Sequence, residues 1–174
     1  PVWLLLRMAL NAVDGMLARS LRLTRSLVQE IAVPALRERD LPFAVKWVAQ
    51  QMEDKFGLRV SVRCEGSIPV VGENVYVCLY RVIQEILFNV VKHAGVKEAE
   101  VELSSRSSDN LRIVVRDGGC GLAPSVLSGL GKGGGSGLFG IRERIEGLGG
   151  KMDVSSTPGK GTVICLVMPV GGAC

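Results

Sequence analysis

Polar residues suited to holding a charged ligand recur between Arg81 and His93. Glu85 and Asn89 are four residues apart and therefore stack on one side of a helix, and Lys92 and His93 extend that side by one further turn. A carboxylate, an amide oxygen and a cation in line suit a magnesium-bound polyphosphate, because hard oxygen ligands hold the metal and a cation offsets phosphate charge. The solvent face of an ordinary amphipathic helix carries the same residue types, so this pattern alone leaves both interpretations open.

The helix that carries these residues is predicted to pack one stripe against a core, because its apolar residues recur at helical spacing. They are Val82, Ile83, Ile86, Leu87, Val90 and Val91. We expect this helix to begin at Glu73 and to end near Ala94-Gly95, where glycine can adopt the left-handed capping conformation. The sequence therefore predicts a core helix with one polar side.

A further helix and a strand are predicted before the core helix. Asp40-Leu41-Pro42 is typical of a helix start, and Gly57 of a helix end. The predicted apolar face of this helix consists of Ala44, Trp47, Val48, Met52 and Phe56. Residues 58–64 then alternate between apolar and polar side chains, which predicts a half-buried strand.

The second half of the chain is predicted to add four strands, a glycine-rich loop and a helix. Strands over residues 99–104 and 111–116 form a hairpin, and the second strand delivers Asp117 to its carboxyl end. Gly and Ser dominate the loop that runs to Gly137, and this composition predicts a mobile lid because it cannot bury enough surface to hold one conformation. A helix over residues 138–148 and strands over 151–156 and 162–168 close the domain.

Composition excludes several classes of protein. The chain has 174 residues, 47% of them hydrophobic, so it can bury a substantial core. A net charge of +4 would permit nucleic-acid binding, but Lys and Arg are scattered and only 5% of residues are aromatic, so we expect no direct nucleic-acid partner. Five cysteines at irregular spacing and a single histidine fit neither a disulfide framework nor a zinc site, which favours a reducing, cytoplasmic setting.

The first 34 residues are expected to form a separate helical element. Charged residues such as Arg7 and Arg19 interrupt its apolar run, so it is too short to span a bilayer, and it lacks the features of a signal peptide. Apolar residues at spacings of three and four over residues 6–31 resemble the seam of a coiled coil or bundle, and Pro34 ends the helix. We expect this seam to pack against another copy or another helix; the alternative is that the helix folds back on its own domain. A first residue of Pro rather than Met suggests a fragment of a longer protein.

Taken one at a time, the glycine-rich motifs in the second half of the chain favour no common nucleotide-binding motif. Residues 131–133 and 159–162 lack both the Lys-Ser/Thr pair and the glycine spacing of a phosphate-binding P-loop. Residues 135–140 match the dinucleotide pattern letter for letter, but that pattern must follow a buried strand, and here it follows a glycine-rich loop. The order of several motifs along the chain is more informative.

Four motifs in this order resemble the N, G1, G2 and G3 elements of the ATPase fold shared by gyrase, Hsp90, MutL and sensor histidine kinases. They are Glu85, Asn89, Lys92 and His93 on a helix, residues 117–121 after a strand, residues 135–138 before a helix, and residues 159–162 before the last strand. Residues 84–94, 140–144 and 148–151 resemble the NarL-partner subfamily of sensor histidine kinases more specifically. The resemblance implies an α+β fold, a two-layer α/β sandwich with a mixed sheet known as the Bergerat ATPase fold. It also implies three segments: part of a helical dimerisation hairpin over 1–34, an ATP-binding catalytic domain over 35–170 and a tail over 171–174.

The resemblance also implies roles for the polar residues of these motifs. Asn89 would coordinate Mg2+, while Glu85 would be the catalytic residue that orients a metal-bound water or polarises the attacking group. Asp117 would accept a hydrogen bond from the adenine amino group of ATP, which favours adenine over guanine. Thr162 would support that recognition, and Lys92 and His93 would lie near the phosphates. For Asp117, an ordinary turn residue before glycine is the alternative, and for His93 a helix cap.

The remaining ATP-binding positions implied by the resemblance are in the loops. Gly119 and Gly121 would let the backbone approach the nucleotide. Gly135, Gly137 and Leu138 belong to the lid and the following helix start, where backbone amides would face the phosphates. Ser136 stands where the subfamily commonly has His, and this difference affects only a side-chain contact to the phosphates.

The function implied is transfer of the ATP γ-phosphoryl group to a histidine and then to an Asp of a response-regulator receiver domain. His93 is the only histidine of the chain and belongs to the nucleotide site, so we expect the acceptor histidine to lie upstream of Pro1. The full-length protein would be a cytoplasmic bacterial homodimer, soluble or membrane-tethered. Three alternatives remain: a gyrase- or MutL-like ATPase, an anti-sigma serine kinase of the same fold, and a non-catalytic interaction module.

Overall fold

The computed structural model describes residues 39–107, 110–129 and 137–170. The helical seam predicted over residues 6–31, the predicted domain boundary after residue 34 and the tail over 171–174 lie outside these residues. Residues 130–136 of the predicted lid, with Gly135, lie outside them as well.

Within the described residues the chain forms helices and strands in the predicted order. They are α1 (Leu41–Phe56), β1 (Arg59–Glu65), α2 (Glu73–Asn89), β2 (Glu98–Ser107), β3 (Asn110–Asp117), α3 (Pro124–Gly129), α4 (Gly137–Glu146), β4 (Lys151–Thr157) and β5 (Gly161–Pro169). Helix α2 continues directly into a π-helical turn, Val90–Ala94, which we call the π turn. The short helix α3 lies where the sequence predicts only loop, because a proline at its first position and small residues carry no helical apolar pattern.

The five strands form one mixed sheet in the order β1-β2-β3-β5-β4. Strand β1 pairs parallel to β2, and every other pair is antiparallel. Helix α1 packs against β1 and α2, and α2 packs against β3 and α4. The α+β fold with a mixed sheet is therefore confirmed, and its core lies between the sheet and α2.

Helix α1 has the predicted ends, and Ala44, Val48 and Met52 of its predicted apolar face are buried. The Asp40 side chain accepts a hydrogen bond from the Phe43 N–H at 3.0 Å, and Gly57 ends the helix with φ of 68°. Trp47 and Phe56, predicted to be on the apolar face, are 37% and 41% exposed. The buried stripe also contains Leu41 and Val45, and its spacing of three and four leaves Trp47 at its edge.

Helix α2 is the central element of the core. Together with the π turn it is long and apolar enough to cross a bilayer by length and composition alone. Its apolar residues pack inside the protein instead: Tyr76, Leu79, Val82, Ile83, Ile86 and Leu87 are each at most 1% exposed. The amphipathic pattern of the sequence is thus explained by a core contact, and Gly95 ends the π turn with φ of 71°, as predicted.

Candidate functional site

A cavity of about 400 Å3 opens between α2, the ends of β3 and β5, and the start of α4. This volume lies in the range of small-molecule sites, roughly 300–1,000 Å3. Seven of the residues predicted to bind ATP line it: Asn89, His93, Asp117, Gly121, Gly137, Leu138 and Thr162. Residues that are far apart in the sequence therefore meet around one concave site.

Asp117 enters the cavity from the last position of β3. It lies opposite Thr162 in the antiparallel register of β3 and β5. Its Oδ1 accepts a hydrogen bond from the Gly119 N–H at 2.9 Å, which orients the carboxylate. Among the described residues, Oδ2 has no hydrogen-bond partner and is available as an acceptor for a bound group.

Thr162 is held by a residue that the sequence does not single out. The side chain of Ser156 lies 3.1 Å from Thr162 Oγ1, and either hydroxyl can donate. Ser156 Oγ also donates to the carbonyl of Gly161 at 2.9 Å and accepts from the Leu122 N–H at 2.8 Å. Thr162 is 8% exposed, so this hydroxyl network fixes a buried polar atom at the cavity wall. A serine in an alternating strand carries no sequence signal for such a role.

The glycines of residues 117–121 let this loop pack against the π turn. Gly119 is buried, and a Cβ atom there would collide with the carbonyl oxygen of Ala94. The Cys120 N–H donates to that same oxygen at 2.9 Å. Gly121 lines the cavity with φ of 72°. Gly119 lies outside the cavity lining, so its close contact is with the protein backbone.

The π turn separates the two predicted phosphate-side residues. His93 lines the cavity, whereas the Lys92 ammonium lies over the Phe88 ring, 4.3 Å from its centroid. Phe88 in turn makes an edge contact with Phe56, with ring centroids 5.5 Å apart. A π-helical turn inserts an extra residue into the helical repeat, and such turns are frequent at functional sites. Spacing on a regular α-helix predicts both side chains on the side of Glu85 and Asn89, and of the two only His93 lines the cavity.

Glu85 lies next to Gly137, which lines the cavity, but is not itself part of the lining. Its Oε2 forms an ion pair with the Arg144 Nη2 atom of α4. Its Oε1 lies on the side of Gly137, where an added Cβ atom would be 3.4 Å from it and 4.0 Å from Asn89 Nδ2. The start of α4 therefore lies against both predicted polar residues of α2.

Apolar side chains make up most of the cavity wall, and the sequence analysis assigns none of them to the site except Leu138. They are Ile86, Val90, Ala94, Val115, Leu122, Ala123, Val126, Leu138 and Ile164. Val115 and Ile164 lie opposite each other across β3 and β5. An apolar cavity wall with a carboxylate in it suits a heteroaromatic ring that carries an amino group.

The polar residues leave few direct ligands for a metal. Among the described residues there is no group of three or more His, Cys, Asp or Glu side chains placed to hold a metal ion. Mg2+ is commonly held by one or two protein oxygens together with water and substrate phosphates. The amide oxygen of Asn89 fits that mode of binding.

Comparison with known proteins agrees with this geometry. The chain matches the family of histidine kinase-, DNA gyrase B- and HSP90-like ATPases over residues 74–172. It is 30% identical over 158 residues to the oxygen sensor histidine kinase NreB of Staphylococcus carnosus, and the match covers 91% of this chain and 44% of NreB. The chain thus spans less than half the length of that relative.

Solved structures show the same fold at lower identity. The histidine kinase domain of the Erythrobacter litoralis EL346 blue-light activated histidine kinase superimposes with a TM-score of 0.60 and 23% identity, covering 75% of this chain and 61% of that one. Full-length ShkA in complex with AMPPNP superimposes with a TM-score of 0.62 and 21% identity, covering 78% and 31%. The family match spans most of the described site, and the chain therefore belongs to the histidine kinase-, DNA gyrase B- and HSP90-like ATPase family.

Proposed function

We propose that this chain contains the ATP-binding catalytic domain of a two-component sensor histidine kinase. In this proposal it binds ATP with Mg2+ and transfers the γ-phosphoryl group to a histidine elsewhere in the protein. An Asp of a response-regulator receiver domain then accepts the group. The similarity to NreB over 91% of the chain supports the kinase branch of the family.

The convergence of Asn89 and Asp117 on one cavity carries the proposal. Asn89 comes from the end of α2 and Asp117 from the end of β3, yet both line the same space of about 400 Å3 together with apolar residues. An amide at one end suits a metal-bound polyphosphate, and a carboxylate at the other suits an amino-bearing base. ATP offers both groups at opposite ends.

Adenine would lie against the apolar part of the cavity wall that includes Val115 and Ile164. Asp117 Oδ2 would accept from the exocyclic amino group, because Oδ1 is already bonded to the Gly119 N–H. Guanine offers a carbonyl oxygen at the corresponding position, and two acceptors facing each other repel. This arrangement favours ATP over GTP.

The triphosphate would extend from there toward Asn89 and His93. Asn89 would supply an amide oxygen to Mg2+, which when bound offsets negative charge on the phosphate oxygens. The exposed imidazole of His93 can donate a hydrogen bond to a phosphate oxygen. Gly137 lies at the start of α4, where helix N–H groups without partners favour an anion. Gly119 and Lys92 remain predicted binding residues outside the cavity lining, and Gly135 lies outside the described residues.

Phosphoryl transfer requires an acceptor that these residues do not offer. His93 is the only histidine, and it lines the nucleotide cavity. We therefore assign the acceptor histidine to a part of the protein outside these 174 residues, on the predicted dimerisation hairpin. Homodimerisation, a cytoplasmic location and the receiver-domain partner belong to the same proposal.

Nucleotide binding by the chain is the first test. A fluorescent trinitrophenyl-ATP analogue should bind with Mg2+ present, and ATP should displace it at a concentration at least about tenfold lower than GTP, as expected when one buried hydrogen bond discriminates. A chain that binds no analogue with or without Mg2+ would instead be a non-catalytic interaction module.

The fate of the γ-phosphoryl group separates the enzyme classes. With γ-labelled ATP, we expect the full-length protein to acquire acid-labile, base-stable label, which is the signature of phosphohistidine, and the 174-residue chain to acquire none. Acid-stable label on a serine of a second protein would indicate a serine kinase. If the chain alone hydrolyses ATP to free phosphate over multiple turnovers, it would be a gyrase- or MutL-like ATPase.

A further inference from the structure

The ion pair between Glu85 and Arg144 joins two helices next to the cavity lining at Gly137. Glu85 lies on α2, four residues before Asn89, and Arg144 lies in the last turns of α4. The two residues come together only because α4 packs along α2, where the Cys78 thiol approaches the Arg144 carbonyl at 4.0 Å. The contact is therefore a product of the tertiary fold.

The two oxygens of Glu85 have different surroundings. Oε2 is bonded to the Arg144 guanidinium, whereas Oε1 faces the Gly137 position beside Asn89. A carboxylate next to a triphosphate would be repelled by it and would turn toward solvent unless a cation held it. Arg144 supplies that cation to Oε2.

The guanidinium is itself held in place. Its Nε donates to the carbonyl of Gly140 at 3.0 Å, one helical turn earlier, while Nη2 donates to Glu85. A planar guanidinium can make both contacts at once, and a lysine ammonium on a flexible stem cannot reproduce that fork. The geometry is therefore specific to arginine.

Stability of the fold does not account for this contact. The Arg144 and Glu85 side chains are 43% and 35% exposed, and ion pairs at such exposure contribute little to folding. A contact that fixes a side chain beside the reacting end of a bound nucleotide can still matter greatly for rate, because small misplacements slow catalysis.

We propose that Arg144 is a positioning residue that holds Glu85 through Oε2 and so directs Oε1 toward the γ-phosphate region beside Asn89. Arg144 does not touch the nucleotide and acts through Glu85 alone. This inference rests on the proposed phosphoryl-transfer function of the same site. It adds α4 to the elements that build the catalytic end of the cavity.

Kinetics of the full-length protein provide the first test. Arg144→Gln should lower kcat for autophosphorylation by about 10- to 100-fold, the range seen for partners that orient a functional side chain, with KM for ATP changed by no more than about twofold. Arg144→Lys should recover part of the loss, because it keeps the charge without the fork. Arg142→Gln is the matched control: Arg142 lies on the same helix and pairs at 3.9 Å with Glu146, away from the cavity.

A double-mutant cycle tests whether Arg144 acts only through Glu85. If it does, Arg144→Gln should cost no further activity in a Glu85→Gln background. Additive losses would overturn the inference, as would an unchanged kcat in Arg144→Gln or a loss that tracks a lowered unfolding midpoint. A wild-type protein that transfers no phosphoryl group would overturn the proposed function first, and this inference with it.

A spectroscopic measurement on the 174-residue chain tests the geometry without the reaction. Nitrogen-15 NMR should show slowly rotating Arg144 guanidinium protons, and Glu85→Gln should release them while leaving the Arg142 signals unchanged. Free rotation of the Arg144 guanidinium in the wild-type chain would overturn the positioning role even if the chain binds ATP.

Discussion

Asp117 and Thr162 lie directly opposite each other in the pair formed by β3 and β5, although two helices and a strand separate them along the chain. Both side chains line the nucleotide cavity. The register of one strand pair therefore places the proposed adenine acceptor beside a hydroxyl that is itself held by Ser156. Several consequences of this arrangement can be measured.

Asp117→Asn is expected to weaken ATP binding by about 1.5–3 kcal/mol, the usual cost of losing a hydrogen bond to a charged group. The amide oxygen can still accept from the Gly119 N–H, so the loop should keep its shape. Displacement of the fluorescent analogue by ATP measures the change. Asp153→Asn is the control, because Asp153 is exposed on β4 and outside the cavity lining. Equal affinity in the two variants would remove Asp117 from its proposed role.

Ser156→Ala should destabilise the domain by about 1–3 kcal/mol, because the Leu122 N–H and the Gly161 carbonyl lose their common partner. Thr162 would also lose its neighbour and ATP affinity should fall. Urea unfolding measures the first effect and analogue displacement the second. Ser155→Ala changes the preceding, exposed residue of the same strand and should alter stability by less than about 0.5 kcal/mol. A Ser156 variant as stable as the Ser155 variant would contradict the network.

Gly161→Ala should be far more damaging than Gly159→Ala, although both glycines have positive φ, 91° and 74°. A Cβ atom on Gly161 would collide with the carbonyl of Asp117, whereas one on Gly159 would meet nothing within 4 Å. Backbone strain alone costs roughly 1–3 kcal/mol. We therefore expect the free energy of unfolding to fall by an amount within that range for Gly159→Ala and to fall further for Gly161→Ala, which should also lose ATP binding. Similar unfolding midpoints for the two variants would show that the collision is relieved.

Tyr80→Phe should leave the domain as stable at neutral pH or slightly more stable. The Tyr80 hydroxyl is buried and has no hydrogen-bond partner among the described residues, so removing it costs no contact. Urea unfolding at pH 7 measures this effect, and a loss of more than about 1 kcal/mol would reveal a partner for the hydroxyl.

The same residue predicts a dependence on alkaline pH. Burial, and to a lesser degree Tyr76, raise the pKa of Tyr80 from 10.0 to about 12. Below pH 10 the phenol is neutral in both states, so it gives no pH dependence. Between pH 10 and about 12 the unfolded chain ionises first, and stability falls as pH rises. Unfolding of wild type and Tyr80→Phe over this range should show a steeper loss in wild type, and parallel curves would contradict the shift.

Sequence reasoning was most successful where the signal is local. Asp40 and Gly57 as the ends of α1, and Gly95 as the end of the π turn, were predicted from side chains and backbone preferences that act within a few residues. The alternating residues of two successive segments likewise predicted the β2–β3 hairpin, and the family resemblance implied the α+β fold, which is confirmed. Trp47 was placed wrongly on the buried face, because it lies next to the apolar stripe and only packing decides which edge is covered.

By itself, then, the sequence determined the order of helices and strands, the family, and a set of polar residues that includes Asn89 and Asp117. Only the tertiary structure decided which of them share a cavity, because strand register, the π turn and the packing of α4 on α2 depend on residues far apart in the chain. The side chain of Lys92 over Phe88, the Ser156 network and the Glu85–Arg144 pair all arise at that level. Such contacts form between elements, and spacing along one element carries no information about them.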